Sequence, residues 1–256
     1  MYLVIAHSWK KDAADVAQTL SDVLGILVFE ARQKMTGGNP VTIANFSDRQ
    51  QAEKIAAQLS SNGVPAFIVD TQNSPPLLQV HQFTLEPQQL RVESAEGQWL
   101  EIEYSKVELI LAASCSDGQM ETIKTTTSRK FSMGKTLLAG GIPMTRKVKK
   151  TEISGGKDRD KTLWLYSDKR EIVIFNRNKL NYSGLGDARQ LTRELNFTHL
   201  QKELRRRGPQ ARYDERLLKQ AGLVNLLGPS LDPEEHLTLA FEILARSLKL
   251  SVTDSE

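Results

Sequence analysis

Residues 162–186 read TLWLYSDKREIVIFNRNKLNYSGLG. Leu163, Trp164 and Leu165 form one short apolar run, and Ile172, Val173, Ile174 and Phe175 form another. The polar set Ser167-Asp168-Lys169-Arg170 lies between them. Two apolar runs of strand length around a short polar turn predict a β-hairpin. Tyr182 to Gly186 then leaves the sheet through Gly184 and Gly186 and hands over to a long helical pattern. Strands precede the hairpin and helices follow it. It is therefore expected to form the closing edge of a β-rich core.

Working back from the hairpin, the apolar period is two from Val80 onward. Phe83 and Leu85, Leu90 and Val92, and Trp99, Leu100 and Ile102 read as strands, with turns at Glu86-Pro87 and Ala95-Glu96-Gly97. Val107 to Ala113 is a nearly continuous apolar strand. Gln119 to Lys130 is rich in threonine and reads as an exposed strand. With the hairpin this makes about seven strands, and the helical run Leu191 to Arg207 comes directly after them. That order of elements resembles a pleckstrin-homology-like barrel, an antiparallel barrel capped by one helix. A different small barrel or a sandwich satisfies the same order.

The first quarter of the chain reads differently. Tyr2 to Ala6 is a buried strand, and Val16, Leu20, Val23 and Leu24 mark a helix over Asp12 to Leu24. Leu27 to Met35 is a second short helix, stopped by Gly37-Gly38 and Pro40. Val41, Ile43 and Phe46 alternate as a strand. Ser47-Asp48-Arg49-Gln50 reads as a capping box opening a helix that buries Ala52, Ile55, Ala56 and Leu59 and ends at Asn62-Gly63. Pro65 to Val69 is a third strand.

This order, with GILVFEARQKM and SDRQQAEKIAAQLSSNGVPAFIV, resembles the C-terminal domain of the bacterial ribosomal stalk protein, a fold similar to that of the Clp protease adaptor. The resemblance implies a small α/β domain used for protein contacts. In the stalk domain, translation factors dock on basic residues of the first helix. Aligned on Glu30-Ala31-Arg32, this chain carries Ala13, Gln18 and Ser21 there, so those docking charges are missing.

Toward the C-terminus, Arg205-Arg206-Arg207 closes a helix at its carbonyl end, where cations suit the dipole. Gly208-Pro209 breaks the chain, Tyr213 to Leu226 reads as a short helical piece, and Asp232-Pro233-Glu234-Glu235 starts another helix. Leu237, Ala240, Phe241, Leu244, Ala245 and Leu248 then give that helix one apolar stripe. The expected class is α+β. A βααβαβ domain over 1–72 is followed by an antiparallel barrel over 79–207 with a basic insertion at 116–161, and a helical segment over 208–256 packs on the barrel. Thr71 to Pro76 reads as a linker, so residues 1–72 are expected to fold alone and limited proteolysis to cut near Asn73-Ser74.

The 256 residues carry 34 Lys and Arg against 31 Asp and Glu, too even a balance to imply a nucleic-acid partner for the whole chain. The single Cys115 excludes an internal disulfide and a cysteine-rich zinc site, and it suits a reducing, cytoplasmic compartment. No apolar run approaches the ~18 residues of a membrane span. Charge is uneven only locally. Lys124, Arg129, Lys130, Lys135, Arg146, Lys147, Lys149 and Lys150 face Asp117 and Glu121 alone, a local excess of six positive charges. This pattern marks an anion-binding loop for lipid headgroups, nucleic acid or acidic protein; the plain alternative is a solvated loop that aids solubility. Met133-Gly134-Lys135-Thr136 lacks the earlier glycine of a phosphate-cradling loop, since Arg129 occupies that position.

His7, His81, His199 and His236 are scattered with no second ligand at metal spacing, and no serine sits in a nucleophile elbow. Catalytic, cofactor and metal residues are therefore expected to be none. The sequence favours a non-enzymatic adaptor or scaffold with an unknown protein partner. Anion binding through 124–150 is the first alternative, and an enzyme of unrecognised type, its site assembled from distant residues, is the second.

Overall fold

The computed structural model describes residues 1–36, 38–73, 75–115, 126–131, 145–150, 160–228, 231 and 236–253. The chain divides into two units, Met1–Cys115 with Asp160–Glu256, and Ser116–Arg159. The first six elements follow the order read from the sequence: β1 (Tyr2–Ala6), α1 (Ala13–Leu24), α2 (Val28–Lys34), β2 (Val41–Phe46), α3 (Arg49–Ser61) and β3 (Ala66–Asp70). The strands pair antiparallel in the order β2-β1-β3. Asp12 caps α1 by accepting from the Ala14 amide at 2.8 Å, and Gly25 ends it in the left-handed region. At α3 the cap is Asp48, which accepts from the Gln50 amide at 3.0 Å, not Ser47. Asp48 is one residue closer to the first turn and offers the stronger, charged acceptor. Val16, Leu20, Ala52 and Leu59 of the helices close one face of this sheet over Val4, Ala6, Val41 and Ile43.

Seven strands build the second sheet: β4 (Leu77–Leu85), β5 (Gln89–Ser94), β6 (Trp99–Glu103), β7 (Val107–Cys115), β10 (Asp160–Ser167), β11 (Ile172–Asn176) and β12 (Arg212–Leu217). The remaining pair, β8 (Thr126–Phe131) and β9 (Thr145–Lys150), forms a two-stranded sheet in the smaller unit. Helices α4 (Arg193–Arg207), α5 (Gln220–Leu227) and α6 (Leu237–Thr253) complete the chain.

The strand order β12-β7-β10-β11-β4-β5-β6 corrects three expectations. The sheet is open and does not close into a barrel. It is mixed rather than antiparallel, because β11 runs parallel to β4 and β12 parallel to β7. The hairpin β10–β11 lies at its centre, not at a closing edge. The physical reason is that both of its faces are apolar. Trp164, Tyr166, Ile172 and Ile174 belong to one buried cluster, while Leu163, Leu165, Val173 and Phe175 belong to another. Strands buried on both sides occupy the middle of a covered sheet.

Residues 213–217, expected as the start of a helix, belong instead to the seventh strand, Arg212–Leu217. Leu217 is buried there and Arg212 lies opposite Leu109. The helix begins only at Gln220. The expected start at Asp232 to Glu235 lies outside the described residues, and α6 is described from Leu237.

The two faces of the second sheet settle what surrounds it. On one, Phe197, Leu200 and Leu204 of α4 and Tyr182 and Leu185 of a 3-10 segment (Tyr182–Ala188) cover Phe83, Leu90, Val92 and Phe175. Gly184 sits so close that an added Cβ would lie 1.7 Å from the Phe83 carbonyl oxygen. On the other face, Leu223, Leu227, Phe241 and Leu244 of α5 and α6 share a core with Leu109, Leu111 and Trp164. Leu3, Ile5, Phe67 and Val69 of the first sheet belong to that same core. Polar ties reinforce it: Thr42 Oγ1 donates to the Leu226 carbonyl at 2.8 Å and an Arg246 guanidinium N–H to the Ile68 carbonyl at 2.7 Å. The segment 1–72 thus shares one apolar core with the C-terminal helices.

Trp164 and Phe241 stack at the middle of this core, with centroids 3.8 Å apart and planes 13° apart. Phe241→Ala is expected to cost about 3–5 kcal/mol of unfolding free energy, as a large buried aromatic does. Leu191→Ser, at a fully exposed position, should change stability by under about 0.5 kcal/mol. Urea unfolding of the full chain measures both.

Candidate functional site

Six of the eight basic candidates fall in the described ribbon, and Lys124 and Lys135 lie outside the described residues. β8 and β9 pair antiparallel over six positions: Thr126↔Lys150, Thr127↔Lys149, Ser128↔Val148, Arg129↔Lys147, Lys130↔Arg146 and Phe131↔Thr145. This register sets Arg129 opposite Lys147 and Lys130 opposite Arg146. Like charges directly opposite one another disfavour strand pairing by a fraction of a kcal/mol each. A two-stranded ribbon is marginal even without that penalty. The ribbon holds no acidic residue. Its charge pattern is therefore one that an anionic partner would stabilise.

The ends of β7 and β10 next to residues 116–159 are neighbours, for Cys115 and Asp160 are register partners. A charge cluster sits beside them. Arg177 Nε lies 3.5 Å from Asp160 Oδ1, with side chains only 7% and 2% exposed. Arg177 Nη1 also reaches Glu194 Oε2 at 2.6 Å, and Lys161 Nζ reaches Glu194 Oε1 at 2.5 Å. Hydrogen bonds from Lys161 and Arg177 hold the Glu194 carboxyl below the usual carboxylate range. The Arg177 carbonyl accepts from the Tyr182 hydroxyl at 2.8 Å, and burial pushes that phenol well above its ordinary value. Sequence reading missed this cluster. Its members are spread over 160–194, and the only signal was a charged residue flanking each of two apolar strands.

A second feature lies at the far edge of the sheet. The β5–β6 face carries Arg91, Trp99 and Glu101, with the Arg91 guanidinium 4.7 Å from the Trp99 ring centroid and 3.3 Å from Glu101. Next to it an open groove of about 750 Å³ is lined by Glu86, Gln89, Glu103, Tyr104, Ser105 and Arg207 among others. Arg207 lies over the Tyr104 ring at 5.6 Å and donates to the Glu86 carbonyl at 2.7 Å. Burial raises the Tyr104 phenol above its ordinary value. Arg206 and Arg207 hold Glu203 at 2.7 and 3.1 Å, and these hydrogen bonds, Arg206 first, bring its carboxyl down to about 2.

A separate cavity, about 600 Å³, is lined by Asn39, Pro40, Tyr213, Asp214, Arg216 and Lys219 among others. Arg216 spans it, donating to Asp214 at 2.9 Å and to the Asn39 carbonyl at 2.6 Å. Asp214 and Arg216 thus pair with each other. Among the described residues no group of three or more His, Cys, Asp or Glu is placed to hold a metal ion. His7 is buried with its ring edge-on to Phe67 at 5.2 Å. No described helix is long and apolar enough to cross a membrane. Comparison of the chain with protein-family models, curated proteins and solved structures finds no match.

Removing one partner of a buried ion pair leaves the other uncompensated. Arg177→Met is expected to cost about 3–5 kcal/mol, and Arg177→Met with Asp160→Asn to recover part of that, measured by urea unfolding as a double-mutant cycle. Glu203 gives a pH signature. Its folded value of about 2 lies below the ordinary 4.5, so its contribution is present above pH 4.5 and is lost as pH falls through 2. Glu203→Gln should flatten the stability curve across that window in acid titrations followed by circular dichroism.

Proposed function

We propose that the protein is a non-enzymatic interaction scaffold that binds an acidic protein surface through the β8–β9 ribbon. The observation that carries this reading is the register that opposes Arg129 to Lys147 and Lys130 to Arg146. Such a ribbon gains from a partner that supplies negative charge to both strands. Phe131 is the one aromatic residue between Ser116 and Lys150, which disfavours a stacking site for single-stranded bases. An acidic polypeptide needs no such platform. The βααβαβ order of residues 1–72 supports the scaffold role, since the stalk-like fold it resembles serves protein contacts. The lone Cys115 fits a cytoplasmic setting.

The test replaces Arg146, Lys147, Lys149 and Lys150 with Ser. Binding of the full chain to polyglutamate, to anionic phosphatidylserine vesicles and to duplex DNA is measured at low and physiological salt. Polyglutamate is expected to bind wild type at low salt, to weaken steeply as salt rises, and to lose about tenfold or more in affinity with the variant. Binding to DNA or vesicles with none to polyglutamate would move the ribbon to a different class of partner. Binding to none of the three at low salt would overturn the reading.

A further inference from the structure

The partner charge for the ribbon is present on the chain itself. Residues 86–103 hold Glu86, Glu93, Glu96, Glu101 and Glu103 against Arg91 alone, an excess of four negative charges. Residues 116–150 hold an excess of six positive charges. The acidic segment is the β5–β6 hairpin with its flanks, and β6 is the last strand of its sheet, so among the described residues one side of its backbone has no strand partner. An exposed strand edge is a template for another strand. β6 spans five residues and each ribbon strand six, so their backbones match in length. Among the described residues, the two ribbon strands pair only with each other.

The side chains at this edge show how a cation is held there. Trp99 is 52% exposed, unusual for so large an apolar ring. Arg91 already stacks on it at 4.7 Å while pairing with Glu101 at 3.3 Å. A guanidinium or ammonium is thus favoured by an aromatic face and a carboxylate together. Glu103 is exposed beside it and unmatched by any cation on β5, where its register partner is Gln89. An incoming basic strand would find an edge to pair with, a ring to cover and carboxylates to meet.

We propose that the chain associates with itself, the β8–β9 ribbon of one copy adding to the β6 edge of another. This rests on the ribbon being an anion-binding element and names a second copy as its acidic partner. Donor and acceptor surfaces differ, so the contact is heterologous, and each copy offers one of each. Main-chain hydrogen bonds of strand addition would supply affinity, and the opposed charges would supply selectivity and salt dependence.

Sedimentation velocity of the full chain tests this. At about 0.01 M salt, where the screening length is about 30 Å, wild type is expected to sediment as dimers or larger species. At about 1 M salt, where that length is about 3 Å, it should sediment as a monomer. Glu101→Lys with Glu103→Lys, two exposed positions, should be monomeric at low salt, and so should the four-serine ribbon variant. Mixing these two variants restores one intact ribbon and one intact edge, so a one-to-one complex is expected. Circular dichroism confirms that each variant is folded. Polyglutamate binding separates this proposal from the broader reading, because the Glu101, Glu103 variant should keep it and the ribbon variant should lose it. Wild type that binds polyglutamate yet stays monomeric at low salt overturns self-association and leaves the ribbon reading standing. Failure of the mixed variants to combine overturns it as well. Wild type that does neither overturns both.

Discussion

The stacked pair Trp164 and Phe241, 3.8 Å apart, joins a central strand of the larger sheet to α6. Around it the core draws on both sheets and two helices at once: Leu3 and Val69 from the first sheet, Leu111 and Ile174 from the second, Leu227 and Leu244 from α5 and α6. The contact exists because β10 and β11 have no polar face to offer solvent. Successive strand residues point to opposite sides. A run such as LWL or IVIF therefore demands cover on both. α4 and the 3-10 segment cover one side, and α5 and α6 the other. The C-terminal helices are then committed on two sides, since the outer face of β1 and β3 lies on the same cluster.

That demand explains which parts of the fold were legible. The N-terminal elements could be read in order because each carries its own local signal. Helical spacing marked Val16 and Leu20, alternation marked Val41 and Ile43, and Asn62-Gly63 marked a stop. The central hairpin was legible as a hairpin for the same reason. Its place in the sheet was not, because strand order depends on which distant strand meets each edge. β4 beside β11 joins residues about a hundred positions apart, and β12 beside β7 does likewise. Residues 212–217 illustrate the limit. RYDERL has one buried apolar position and reads locally as polar helix, yet a parallel partner in β7 holds it as strand. Tertiary pairing outweighed propensity there.

The candidate site divides along the same line. The basic residues could be found by counting, because charge is visible without a fold. The register that opposes them could not. The Asp160–Arg177–Glu194 cluster was invisible for a different reason: a buried ion pair is made by burial, and nothing in a lone Asp or Arg announces that it will be 2% or 7% exposed. Arg91 on Trp99 likewise needed the β5–β6 register to bring them together.

Charge in this protein is segregated while its total stays near neutral. Segregation of this kind has a cost within each segment. Glu93, Glu96, Glu101 and Glu103 lie close along one hairpin, as six cations do along the ribbon. A chain under selection for stability alone would gain by interspersing the signs, since like charges placed side by side lower the stability of either hairpin. Interspersion would also remove any field reaching beyond the surface. Keeping the signs apart preserves two fields of opposite sense, each extending about 8 Å at physiological salt. Such fields act on whatever approaches from solution. Arg91 relieves part of this in the acidic hairpin by pairing with Glu101; an opposite surface arriving from solution would relieve what remains in either.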